Sequence, residues 1–140
     1  MNILGLEFEE GAEFYAEDGK LRFKSRDNCK SKHVVYIHTV DEEIVYVGET
    51  SNTFYQRMYY YCNHKGRTNV RVREYMMDMI GEGREVKTYM YKPEEILNLC
   101  IKINPLYLAI EQALIDRIKP ILNRKNVHKR EEREGKELKK

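Results

Sequence analysis

The sequence predicts a mixed α/β (α+β) domain with a small central antiparallel three-stranded sheet, flanked by helices and carrying an N-terminal β-hairpin extension. Three observations point there. VVYIHTV (34–40) and IVYVG (44–48) are β-branched and aromatic runs on either side of Asp41-Glu42-Glu43, the pattern of a hairpin. EVKTYMY (85–91) reads as a third strand. The intervening and following segments carry apolar residues at helical spacing, punctuated by Gly66, Gly81, Pro105 and Pro120.

Within residues 1–32, two short segments flank Asp18-Gly19, a dipeptide that accepts the positive φ angles of a tight turn, so a peripheral hairpin is expected. In the main hairpin the register decides which side chains share a face. A three-residue loop sets His38 opposite Tyr46 and puts Tyr36 on the same face; a two-residue loop separates the two tyrosines. With Ser51 or Asn52 as N-cap, a helix is expected to run to about Lys65 and stop at Gly66. Its apolar stripe is Phe54, Met58, Tyr61 and Cys62, and Arg57, Tyr61 and His64 line one margin at i, i+4 and i+7. A second helix is expected over about 68–80, a short one over EEILNLCIKI after Pro93, and a last one over PLYLAIEQALIDRIK, which Pro120 ends. From Arg124 the chain is nearly devoid of apolar residues and is expected to be a frayed helix or disordered. The expected division is a hairpin extension at 1–32, one domain at 33–126 and a charged tail at 127–140.

A chain of 140 residues supports one core, and its 41% hydrophobic and 34% charged residues include no apolar run long enough for a membrane helix. MNILGLEFEE is acidic where a secretory leader is positive, so a soluble, intracellular (cytoplasmic) protein is expected. Cys29, Cys62 and Cys100 are odd in number and widely spaced, which argues against a disulfide framework or a cysteine zinc site. A formal charge of +2 decides nothing about nucleic acid, because clustering on one face is what matters.

Glu111 falls within the apolar sector of the last helix, among Tyr107, Leu108, Leu114, Ile115 and Ile118. A carboxylate there needs a cation, a metal or hydrogen-bond donors; a structural salt bridge and a Mg²⁺ ligand are both consistent with it. Arg57 reads alone as a solvated arginine and, beside two tyrosines, as a phosphate fork. Tyr36 and Tyr46 read singly as sheet packing residues. Tyr59-Tyr60-Tyr61 reads as core and interface before it reads as a base-stacking platform. His64 is a general base or an ordinary helix-end histidine.

Taken together, VVY, nine residues, then YVG resembles the paired motifs of the GIY-YIG nucleases, followed in order by Arg57, Glu111 in LAIEQALI and Asn123 in KPILN. The resemblance spans residues 34–123. It is strongest to the small phage endonucleases of the T-even endonuclease II type, and so implies a phage- or virus-encoded protein acting inside a host cell. Val34 replaces the usual leading glycine, and Glu49 stands where many members have lysine. By this resemblance Tyr36 and Tyr46 are the active-site phenols, one of them activating the attacking water. Arg57 contacts the scissile phosphate, Glu111 holds a single Mg²⁺ or Mn²⁺, and Asn123 braces the site. Tyr61 occupies a His-or-Tyr position with His64 one turn beyond, and Gly48 allows close backbone approach.

The resemblance implies metal-dependent hydrolysis of DNA phosphodiester bonds by a homo-oligomer, a dimer or tetramer. The candidate phosphate-contacting residues are Lys65, Arg67, Arg71, Arg73 and Arg84, with Arg124, Lys125, Lys129 and Arg130 in the tail. The alternatives are a sequence-specific restriction nuclease, a structure-specific repair nuclease, and a DNA-binding module of the same fold whose active site has decayed.

Overall fold

The computed structural model describes residues 1–93 and 106–123. The expected short helix after Pro93, Cys100, and the basic residues from Arg124 onward lie outside them. The described elements begin with β1 (Asn2–Ile3), β2 (Leu6–Glu7), β3 (Glu9–Glu17), β4 (Lys20–Ser25) and a 3-10 turn (Asp27–Lys30). β5 (Lys32–Val40), β6 (Glu43–Thr53), α1 (Phe54–Asn63) and α2 (Arg67–Gly81) follow. The chain continues with β7 (Val86–Tyr91), α3 (Leu106–Ile118) and a second 3-10 turn (Ile121–Asn123).

The three expected strands form the antiparallel unit β7-β5-β6, but the sheet does not stop there. β3 pairs with β7, giving five strands in the order β4-β3-β7-β5-β6. The N-terminal hairpin is therefore an edge of the same sheet, and this non-local pairing has no signature in the local pattern. Its turn is as expected, with Asp18 and Gly19 both at positive φ. β1 and β2 make a separate small ribbon.

β5 is covered on both faces, and Val34 through Val40 are all buried. That explains why VVYIHTV reads as a continuous apolar run with no strict alternation. On one face Val34, Tyr36 and Val40 pack with Phe54, Met58 and Tyr61 of α1 and Val72 and Met76 of α2. On the other, Val35, Ile37 and Val47 pack with Tyr107, Leu114 and Ile115 of α3 and with Phe8.

The β5–β6 loop has two residues, not three: Val40 pairs with Glu43, and Asp41 and Glu42 both adopt positive φ. A non-glycine residue resists that region. Here Asp41 is held from both sides, its N–H donating to the Glu85 carbonyl and its carboxylate accepting from the Glu85 N–H. The register slip expected of a two-residue loop is cancelled by a bulge. Thr39 pairs with Ile44 but His38 with Tyr46, leaving Val45 as the extra residue. Tyr36 and Tyr46 consequently share a face, by a route different from the expected three-residue loop.

α1 begins later than expected. Ser51 and Asn52 remain in β6, the ladder reaches Thr53 opposite Lys32, and Thr53 is the N-cap, its hydroxyl accepting from the Gln56 N–H at 3.2 Å. The helix also ends earlier, at Asn63. Arg73 of α2 donates to the Cys62 and His64 carbonyls, supplying partners that the helix end lacks.

Candidate active site

Tyr36 projects from the middle of β5 toward α1, and Tyr61 comes back from the helix to meet it, their hydroxyls 2.6 Å apart. Arg57, one turn before Tyr61, reaches both. Its Nε donates to the Tyr36 hydroxyl at 3.1 Å, Nη2 to the Tyr61 hydroxyl at 3.2 Å and Nη1 to Asn69 of α2 at 2.7 Å. The guanidinium carbon also lies 4.2 Å from the Tyr61 ring centroid, so the cation is seated on a π face. Among the described residues three of the five guanidinium N–H donors are used, leaving one on each terminal nitrogen for an incoming anion.

Tyr36 is 1% exposed and Tyr61 fully buried, whereas Tyr46 is half-buried. Burial pushes the hydroxyl pKa of all three above the ordinary phenol value, and the Arg57 charge works against that rise. For Arg57, burial opposes the charge, but Tyr36 and Tyr61 more than offset it and hold the pKa above its usual value.

Gly48, paired with Tyr36 across the strands, makes room for the ring. A Cβ there would lie 2.5 Å from both Cζ and the hydroxyl of Tyr36. The glycine of the second motif is thus required sterically by the tyrosine of the first.

Glu111 is half-buried on α3, and its carboxyl pKa rises to about 7, first through burial and then through the charge of Glu49. Glu49 pairs with Val35, whose side chain lies in the α3-side core, so Glu49 shares that face. Its own pKa is raised by burial, with Arg57 and His33 opposing. The field of Glu111 reaches Tyr46. The two carboxylates therefore approach the phenols from the α3 side of β6, an edge strand.

Asn123 sits on the open edge of β6. Its side-chain amide accepts from the Val47 N–H at 2.9 Å and donates to the Val47 carbonyl at 3.0 Å, closing the edge between Tyr46 and Gly48. Arg71 holds the same turn by donating to the Leu122 carbonyl.

His64 is not part of this cluster; it is exposed and stacks on Tyr60 with ring centroids 3.9 Å apart. Of the candidate phosphate contacts, Lys65 and Arg67 are exposed and Arg71 is half-buried. Arg73 caps α1 as described, and Arg84 pairs with Asp41 at 3.2 Å.

Two residues at the site carry no motif signal. Asn69 fixes one arm of Arg57. His38 is fully buried, stacks on Tyr46 at 5.4 Å and meets Tyr61 edge-on at 4.8 Å. Its Nδ1 bonds the Thr88 hydroxyl at 2.7 Å while Nε2 lacks a protein partner among the described residues. Burial, then Arg57, pushes its pKa down to about 3, so the ring is neutral.

Two phenols on paired strands, an arginine on the next helix, a glutamate on a late helix and an asparagine on the edge of β6 are thus brought to one end of the sheet. The chain belongs to the GIY-YIG family, whose catalytic domain matches residues 32–126. Its fold is similar to that of a bacteriophage T4 EndoII mutant, with a TM-score of 0.59 and 21% identity over 81% of this chain and 90% of that one. It is also similar to restriction endonuclease Hpy188I in complex with product DNA, with a TM-score of 0.54 and 21% identity over 62% of this chain and 56% of that one. No curated protein sequence matches the chain.

Proposed function

We propose that the protein is a metal-dependent DNA endonuclease that hydrolyses phosphodiester bonds. The observation that carries this reading is the Tyr36–Tyr61–Arg57 network, which presents two guanidinium donors without a partner among the described residues, beside the half-buried phenol of Tyr46. A bidentate pair of N–H donors matches two phosphoryl oxygens.

Tyr36 and Tyr61 hold Arg57 in place, while Tyr46, the least buried of the three phenols, orients the attacking water. Hydrolysis forms a bond from the water oxygen to phosphorus and breaks the bond to the 3′ oxygen. The water proton passes to the Tyr46 oxygen when that phenol is ionised, a state that burial disfavours and the Arg57 charge partly restores, and the departing 3′ oxygen takes a proton from solvent. Arg57 stabilises the charge that builds on the phosphoryl oxygens.

Among the described residues no cluster of three His, Cys, Asp or Glu side chains is present, but a single carboxylate is a hard oxygen donor of the kind that Mg²⁺ or Mn²⁺ takes together with waters and phosphate oxygens. Glu111 would hold it. When bound, such a cation would neutralise the phosphate and favour ionisation of the nearby phenol and water. The site of one domain cuts one strand, so cleavage of both strands calls for two sites on one duplex, as a dimer or tetramer would provide.

The test is cleavage of supercoiled plasmid with Mg²⁺ against EDTA, with Glu111→Ala in parallel. Metal-dependent nicking or linearisation that the substitution abolishes supports the proposal. Binding without cleavage, the same for both proteins, would leave the decayed DNA-binding module.

A further inference from the structure

The outer face of α1 carries a feature the active site does not use. Tyr55 and Tyr59 flank Arg57 by two positions, about 200° around the helix from it, so they face away from the phosphate site. They are 47% and 46% exposed, among the most exposed large apolar side chains of the described residues. Between them and β4 runs a groove of about 330 Å³, walled also by Lys20, Arg22, Phe23 and Asn63. Phe23 supports Tyr55 from the strand, with ring centroids 5.1 Å apart. The same two tyrosines wall a second hollow of about 520 Å³ with Thr53, Gln56 and Tyr60.

None of the residues lining the groove is acidic, and Lys20 and Arg22 are exposed. Aromatic faces interleaved with cations suit a chain whose bases can stack and whose backbone is anionic. Duplex DNA meets only half of that description, because its bases are already stacked inside the helix. A second copy of the protein fits poorly. A two-fold contact sets this patch against itself, which brings Lys20 and Arg22 toward their own counterparts with no carboxylate in the lining to pair with them.

We propose that the α1–β4 groove binds single-stranded DNA, with unpaired bases stacking on Tyr55 and Tyr59 and phosphates lying against Lys20 and Arg22. Resting on the nuclease reading, this makes DNA with an unpaired stretch next to a duplex the preferred substrate. The chain would hold the unpaired strand on one side of α1 and cut on the other.

The test is anisotropy of a fluorescein-labelled oligothymidylate titrated with the full chain in EDTA, alongside plasmid nicking in Mg²⁺. The double substitution Tyr55→Ala/Tyr59→Ala is expected to weaken oligothymidylate binding by about tenfold or more. Nicking of plain duplex should stay within about twofold of the wild type, since neither ring touches the catalytic cluster. Arg22→Glu should weaken binding too and flatten its salt dependence.

Equal affinity of wild type and both variants overturns the proposal. So does a loss of affinity matched in sedimentation by a change from dimer to monomer, which gives the face to a second copy. A wild type that binds oligothymidylate through Tyr55 and Tyr59 but cuts nothing leaves the groove in place and removes the nuclease reading. A wild type that cuts duplex but ignores oligothymidylate does the reverse.

Discussion

Gly48 lies against the ring of Tyr36, so close that a methyl group on its Cα would come within 2.5 Å of the tyrosine hydroxyl. That hydroxyl is also the atom on which Tyr61 and Arg57 converge. The backbone of one motif thereby sets the position of the hydrogen-bonded network built on the other.

Gly48→Ala should displace the Tyr36 ring and, through it, Arg57. A displacement of about 1 Å at a catalytic group costs roughly 100-fold in rate. Plasmid nicking rates should fall by about that factor while DNA affinity at low salt changes little. An unaltered rate would show that Tyr36 does not position Arg57.

Arg57→Lys retains the charge but cannot reach Tyr36, Tyr61 and Asn69 together, because an ammonium is a point donor and the guanidinium a planar fork. The expected loss is about 100- to 1,000-fold in cleavage, the scale seen when a preorganised donor to developing charge is removed. Single-turnover kinetics with saturating enzyme would separate this from weaker binding.

The carboxyl of Glu111 titrates near pH 7 in the metal-free protein. Protonated, it cannot hold a cation, so cleavage at Mg²⁺ well below saturation should rise with pH through about 7, and the rise should move to lower pH as Mg²⁺ is increased. Glu49→Gln removes the like charge and should move that rise to lower pH. A profile unmoved by the substitution would show that the two carboxylates do not interact. The sign for stability is opposite. A folded pKa above the unfolded value near 4.5 gives a contribution fully present below 4.5 and lost as pH climbs to about 7. Thermal melts of the metal-free protein should show that fall, and added Mg²⁺ should offset it at neutral pH.

Asn123→Ala should destabilise the fold. It strips both hydrogen bonds from the buried edge at Val47, at about 1 kcal/mol or more for each group left unpaired. Melting should drop by roughly 5–10 °C. Asn123→Asp keeps the acceptor but sets a second oxygen against the Val47 carbonyl, so it should not restore the wild-type melting temperature.

The local pattern was sufficient for the elements whose cause is local. The Asp18-Gly19 turn, the β5–β6 hairpin and the break at Gly81 each follow from residues within a few positions of one another, and Tyr36, Tyr46 and Arg57 were legible as a group because hairpin and helix are consecutive. What escaped depends on partners far along the chain. The pairing of β3 with β7 joins residues more than 70 positions apart, as Glu10 with Tyr89. The cap at Thr53 reflects a ladder that continues to Lys32. Asn69 enters the site through packing alone, and no spacing rule singles it out; strand alternation places His38 on the face of Tyr36 and Tyr46, but its burial against Tyr61 and Thr88 has no local signal.

The bulge at Val45 bears on how this hairpin tolerates insertion and deletion. Gaining or losing one residue at a hairpin tip ordinarily turns every downstream side chain over, and here that would send Tyr46 to the wrong face of the sheet. A single spare residue three positions past the loop absorbs the change before it reaches the tyrosine. Removing one residue from the strand at the bulge while adding one to the turn would therefore leave the two phenols on one face.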